Sequence, residues 1–239
     1  MIVYFLFILI IIILIYRKPE YFSNEMCAIN KFDKILYINL DHRKDRNSQI
    51  LNEFSKYKIN KNKIIRIDAI YNKLNGHIGC AKSHIKALTL AKKMNLKNVI
   101  IFEDDFVFTK DLNTINLILN KFYKDFGKNW DIVQLTTVNN IHTDLININK
   151  DYIKKVNHAP TSSAYIIQNH FYNDLINDLN KAIKKMENEM KTWKLNKKKV
   201  QTPNALDQHW KELQRNSNWY VFYPYLGKQG GEAIRSSIK

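Results

Sequence analysis

Val99-Ile100-Ile101-Phe102-Glu103-Asp104-Asp105-Phe106 carries four apolar residues straight into three carboxylates. An apolar run of this length closed by charge reads as a strand, Asn98–Phe102. In α/β sheets ligands bind beyond the carboxyl ends of the strands. A strand that ends in Glu103-Asp104-Asp105 therefore puts acidic groups where a ligand is expected. Three adjacent negative charges repel one another and call for a cation. A hard divalent ion with oxygen ligands, Mn²⁺ or Mg²⁺, meets that need. In extended chain Glu103 and Asp105 point to the same side, so these two are the candidate metal ligands. One would hold the ion, and the other its water or a ribose hydroxyl. Such an ion bridges a diphosphate and stabilises charge on a leaving group. The plain alternative is a solvated acidic turn.

Outward from this strand the pattern alternates. Lys34–Leu40 and Lys63–Ala69 read as strands before it, and Asp131–Leu135, Ser162–Gln168 and Trp219–Tyr223 as strands after it. Helices are expected at Arg43–Phe54, with Asp41 as its cap, and at His77–Lys93, Asp111–Phe122, Phe171–Met190 and Leu206–Gln214, from apolar residues three and four apart. Strand-helix alternation points to an α/β domain: one mostly parallel sheet flanked by helices.

Ile2–Tyr16 is an uncharged apolar run ending at Arg17-Lys18. As a helix it spans roughly 22 Å, short of the ~30 Å hydrocarbon core but within reach of local thinning. It reads as an uncleaved membrane anchor at residues 1–16, followed by a juxtamembrane linker at 17–32 and a single domain at 33–239. Basic residues lie only on its C-terminal side, which favours a cytoplasmic soluble domain. The net charge is +16. Its spread along a chain rich in Ile, Lys and Asn, without an aromatic ladder, marks solvated surface rather than a nucleic-acid groove. Two cysteines make no disulfide framework.

Five blocks in order resemble glycosyltransferase family 25, which includes lipooligosaccharide sugar transferases and collagen galactosyltransferases. They are Tyr37–Asp41 with Arg43, Asp45 and Arg46; Gly79–His84; Glu103–Asp105; Ser162–Ile167; and Asp207 with Pro224, Gln229 and Ser236–Ile238. Ser237 departs from the family's usual Asp. The resemblance implies a Rossmann-like fold of the GT-A type. It also implies metal-dependent, inverting transfer of a hexose, galactose or glucose, from a UDP-sugar to a hydroxyl of a glycan or protein.

Roles follow, each beside a plainer one. Arg43 and Arg46, at a helix start, suit a diphosphate, or an exposed helix face. Asn39 and Asp41, at a strand exit, suit base or ribose contacts; Asp41 equally suits a cap. Ser83 and His84 are donor contacts or core, and Asp104 and Gln229 complete the donor set. Asp207 is the candidate base, since inversion needs a carboxylate that takes the acceptor's proton; otherwise it favours a helix dipole. His209 is a metal or acceptor contact. Trp210, Trp219 and Tyr225 stack on sugars or fill the core. His77, Cys80 and His84 offer only three ligands to zinc. The rival classes are a metal-dependent nuclease, for which no Lys sits beside the acidic cluster, and a silent nucleotide-sugar-binding module.

Overall fold

The computed structural model of the chain describes residues 26–138, 143–196 and 204–230. The expected anchor at 1–16, the linker up to residue 25 and the closing Ser236–Ile238 lie outside the described residues.

Ten strands are described: β1 Lys34–Asn39, β2 Ile64–Asp68, β3 Asn98–Glu103, β4 Phe106–Phe108, β5 Ile132–Gln134, β6 Asp144–Ile146, β7 Ile153–His158, β8 Ala164–Gln168, β9 Trp219–Phe222 and β10 Gly227–Gln229. Eight form one sheet in the order β2-β1-β3-β8-β5-β9-β7-β6, and β4 pairs with β10 apart from it. The helices are α1 Lys44–Lys56, α2 Gly76–Lys93, α3 Leu112–Phe126, α4 Tyr172–Asn196, α5 Leu206–His209 and α6 Lys211–Arg215.

Period-two alternation splits the central strands between two apolar layers. Ile35, Tyr37, Ile100 and Phe102 pack with Ile50 and Phe54 of α1 and Ile115, Leu119 and Phe122 of α3. Leu36, Ile38, Val99 and Ile101 pack with Ile78, Ala81 and Leu88 of α2 and Leu175 and Leu179 of α4. The sheet is thus covered on both faces, as expected.

The expectation of a mostly parallel sheet needs correction. β1 is parallel to β2 and β3, and β5 to β9, but β8 runs antiparallel to both β3 and β5, and β7 to both β9 and β6. The sheet is mixed. Apolar runs reveal burial, not direction. The linker also ends sooner than expected: Cys27, Ala28, Ile29 and Phe32 are core residues, and the Ala28 N–H donates to Asn116 Oδ1 of α3 at 2.6 Å. Among the described residues no helix is long and apolar enough to cross a membrane.

Candidate active site

The carboxyl ends of β1, β2 and β3 open into a cleft with two compartments. The first is lined by Ile38, Leu40, Arg46, the loop Ala69–Asn72, Gly76, Ser83 and the acidic residues Glu103–Asp105; it has about 670 Å³ of empty space, counted out to its mouth. The second is lined by His77, Thr161, Ser162, Ser163, Leu206 and Asp207, and has about 590 Å³ on the same measure. Cys80, Glu103 and Gln229 line both.

Glu103 ends β3 in the same alternation phase as Val99 and Ile101, so it faces α2. There its Oε1 accepts from Ser162 Oγ at 2.5 Å and lies 3.3 Å from His84 Nε2 and 4.0 Å from Cys80 Sγ. His84 Nδ1 lies 2.9 Å from the Tyr165 hydroxyl. Burial would raise the Glu103 carboxyl, but His84 and Ser162 outweigh it and hold it below its ordinary value. His84 is wholly buried. It sits behind Glu103 and orients it, so the expected donor contact is corrected. Its position was readable: Ala81, His84, Leu88 and Ala91 share one helical stripe. Ser83 lines the cleft, but its hydroxyl is held from both sides. It donates to Gly79 O at 2.7 Å and accepts the Ile70 N–H at 2.8 Å, which fixes the loop that walls the cleft.

Asp104 and Asp105 form a turn between β3 and β4, so strand alternation does not continue to Asp105. Arg46 meets both, at 3.0 Å to Asp104 and 3.4 Å to Asp105. Asn39 donates to Asp104 at 2.7 Å, and Gln229 to Asp105 at 3.2 Å. Arg46 is in phase with Ile50 and Phe54 on the buried face of α1, and is itself buried. Its guanidinium therefore holds the acidic turn in place instead of standing free for a phosphate. Burial, reinforced by the charge of Glu103, pushes Asp105 up to about 6. Burial also raises Asp104, against the pull of Asn39 and Arg46.

The other expectations divide. Asn39 is buried and positions Asp104. Asp41 is exposed, pairs with Lys44 at 2.8 Å and does not line the cleft; the helix begins after Arg43, without a side-chain cap. Arg43 pairs with Asp45 at 2.7 Å, also off the lining. Trp210 and Trp219 are fully buried and stacked edge to face on one another, so they are core. His209 faces Asp178 at 3.1 Å. Asp207 does reach the second compartment. Its Oδ2 accepts the Thr161 N–H at 3.0 Å, and burial raises its carboxyl above the ordinary range. Thr161 has φ +83°, a costly conformation for a β-branched residue. It is pinned there by Asp207 on its N–H and by Gln134 Nε2 on its carbonyl at 2.8 Å.

The residues present fit a hard cation. Asp105 Oδ1 is buried with no hydrogen-bond partner. A carboxylate oxygen left so is costly unless a charge answers it. Asp105 Oδ1 would meet the ion, and Glu103, which lines the same compartment, is the second residue that would hold it.

The sequence profile of glycosyltransferase family 25 (LPS biosynthesis protein) matches residues 73–203. That span is 131 of the 239 residues, and it includes α2, the acidic turn and the Ser162–Tyr165 segment.

The chain belongs to glycosyltransferase family 25.

This family 25 glycosyltransferase matches no curated protein. Among solved structures it is similar to a glycosyltransferase involved in the glycosylation of the major capsid of PBCV-1. That match has 10% identity, covers 80% of this chain and 93% of that one, and has a TM-score of 0.38. It is also similar to a UDP-glucose pyrophosphorylase complexed with UDP-glucose, with 9% identity, 82% and 74% coverage and a TM-score of 0.41.

Proposed function

We propose that this enzyme transfers a hexose from a UDP-sugar to a hydroxyl of a glycan or protein, with inversion and with Mn²⁺ or Mg²⁺ bound. The GT-A arrangement implied by the family is part of the proposal. So is a membrane tether at residues 1–16 with the catalytic domain on the cytoplasmic side. One observation carries the reading most: two carboxylates of different kinds line one cleft. Asp105 keeps an unpartnered buried oxygen at the acidic turn, and Asp207 lines the compartment beyond Glu103.

The first compartment takes the nucleotide. Its apolar Ile38, Leu40 and Ile70 would cover the base, beside the loop Ala69–Asn72 that walls the compartment. Glu103 and Asp105 would hold the cation, which when bound would neutralise charge on the departing diphosphate. Arg46 contributes indirectly, by keeping Asp104 and Asp105 ionised and aimed. The sugar then lies toward Gln229 and the second compartment. Asp207 takes the proton from the attacking hydroxyl, and the Thr161 N–H fixes which of its oxygens is free to do so. Burial above the ordinary carboxylate range brings Asp207 nearer the basicity such a step needs.

The test is release of UDP from UDP-galactose and UDP-glucose with MnCl₂, with and without candidate acceptors. Turnover that is lost on chelation and in Asp105→Ala is expected. Release by Asp105→Ala equal to wild type refutes the assignment. UDP binding without turnover on any donor identifies the silent binding module instead.

A further inference from the structure

Cys80, His84 and Glu103 each offer one ligand atom, and the three atoms lie within 4.8 Å of one another. We propose that they form a zinc site, distinct in ligand chemistry from the hard-cation site but sharing Glu103 with it, through which zinc inhibits the enzyme.

The distances are close to those of a tetrahedral ion. With Zn–N and Zn–O near 2.0 Å and Zn–S near 2.3 Å, a tetrahedron has an N···O edge of roughly 3.3 Å and an S···O edge of roughly 3.5 Å. His84 Nε2 is 3.3 Å from Glu103 Oε1, and Cys80 Sγ is 4.0 Å from it. The S···O edge has to shorten by about 0.5 Å, and a change in the Cys80 side-chain torsion moves the thiol.

The supporting groups are also those of a metal site. Ligating histidines hold their second nitrogen on an acceptor, and ligating carboxylates are themselves hydrogen-bonded. His84 Nδ1 meets the buried Tyr165 hydroxyl at 2.9 Å, and Ser162 Oγ donates to Glu103 at 2.5 Å. Without metal, His84 Nε2 meets Glu103 Oε1 as a hydrogen-bond partner at 3.3 Å. Zinc would take the place of the proton between them, which leaves to solvent, while Nδ1–H stays on Tyr165. His77, the third residue of the spacing seen in the sequence, is outside this group; Glu103 takes its place.

Thiolate and imidazole select zinc over magnesium or manganese. As the Zn–S bond forms, the Cys80 thiol gives its proton to solvent. Cys80 and Glu103 line the cleft, so the fourth position is open to it. Zinc so bound turns Glu103 away from the hard cation. This last step rests on the proposed function, whereas the binding itself does not.

The experiment uses the full chain stripped of metal and titrated with ZnCl₂ alone against a chromophoric chelator, with CoCl₂ as a spectroscopic probe. One zinc per chain is expected, weakened at least about tenfold in Cys80→Ser and in Glu103→Gln. A thiolate-to-cobalt charge-transfer band should be present in wild type and absent in Cys80→Ser. Circular dichroism shows whether each variant is folded. No zinc binding at micromolar concentration, equal binding by folded Cys80→Ser, or a cobalt spectrum without the sulfur band each overturns the site. None of these bears on UDP release with MnCl₂, so the two proposals fail separately. If zinc binds and leaves MnCl₂-supported release unchanged, the inhibitory role is wrong.

Discussion

Replacing Gly79 with alanine tests how the cleft wall is built. Gly79 lies in the first turns of α2, and a Cβ there would sit 2.5 Å from the Ile70 carbonyl oxygen, 3.2 Å from Asn72 N and 3.3 Å from Asn72 Cβ. Carbon and oxygen rest no closer than about 3.3 Å, so the loop must retreat by roughly 0.8 Å. The nearest atom is backbone and cannot rotate aside. Such overpacking costs about 1–3 kcal/mol. The Ser83 hydroxyl that anchors Ile70 N–H at 2.8 Å is strained by the same retreat, at about 1 kcal/mol. Alanine's better helix propensity returns about 1 kcal/mol. A net loss of about 2 kcal/mol lowers the melting temperature of a domain this size by about 4–8 °C. Because Ile70 and Asn72 line the compartment proposed for the nucleotide, UDP affinity should fall about tenfold or more, or about 1.4 kcal/mol. Differential scanning fluorimetry and titration calorimetry read the two effects. A Gly79→Ala protein that melts as high as wild type and binds UDP as tightly would show that the loop is not set by this contact.

Arg46→Met strands Asp104 and Asp105 without their buried cation. A loss of about 3–5 kcal/mol is expected in urea unfolding, and a change under 1 kcal/mol would contradict it. Asp207→Asn keeps an acceptor for the Thr161 N–H but cannot take a proton, so turnover should vanish while the fold survives. The sign of its stability effect follows from the raised carboxyl. Burial penalises the charged form, so the fold loses stability as pH rises through the raised value; Asn escapes that penalty and should melt no lower than wild type at neutral pH. In the wild type kcat/KM should fall on acidification, with a midpoint above the ordinary Asp value of 3.8; a limb at or below 3.8 speaks against Asp207 as base. Adding MnCl₂ should raise the melting temperature of wild type but not of Asp105→Asn, and an equal shift in both would place the ion elsewhere.

The central strands were legible because β1, β3, β8 and β9 are dense in large apolar residues. β4, β6 and β10 have three residues each, too few to show a period. β7 was hidden for another reason: its apolar Ile153 and Val156 are three apart and pack on opposite faces of the sheet, so they lack the two-residue spacing of a half-buried strand. The acidic turn was visible as a strand exit, but its internal division was not. Glu103 belongs to α2's side and Asp105 to Arg46 and Gln229, because the chain turns at Asp104. The supporting roles of Arg46 and His84 were encoded in helical phase, since each falls on an otherwise apolar stripe. A polar residue on such a stripe is a signal for a buried partner, and the partner is set by tertiary packing that spacing alone does not contain.

The reversal of β8 has a consequence for how this scaffold diversifies. Because β8 runs opposite to β3, Phe102 pairs with Ala164. The segment that enters β8, not the one that leaves it, therefore meets the acidic turn, and the Glu103 N–H donates to Ser163 O at 2.8 Å. The first compartment is assembled from β1, β2 and the start of α2, while the opposite wall comes from the connection running into β8 and from α5. Length and composition can drift in that connection without disturbing the loop that walls the first compartment, so under the proposed function acceptor preference and donor preference would sit on separately mutable stretches of chain.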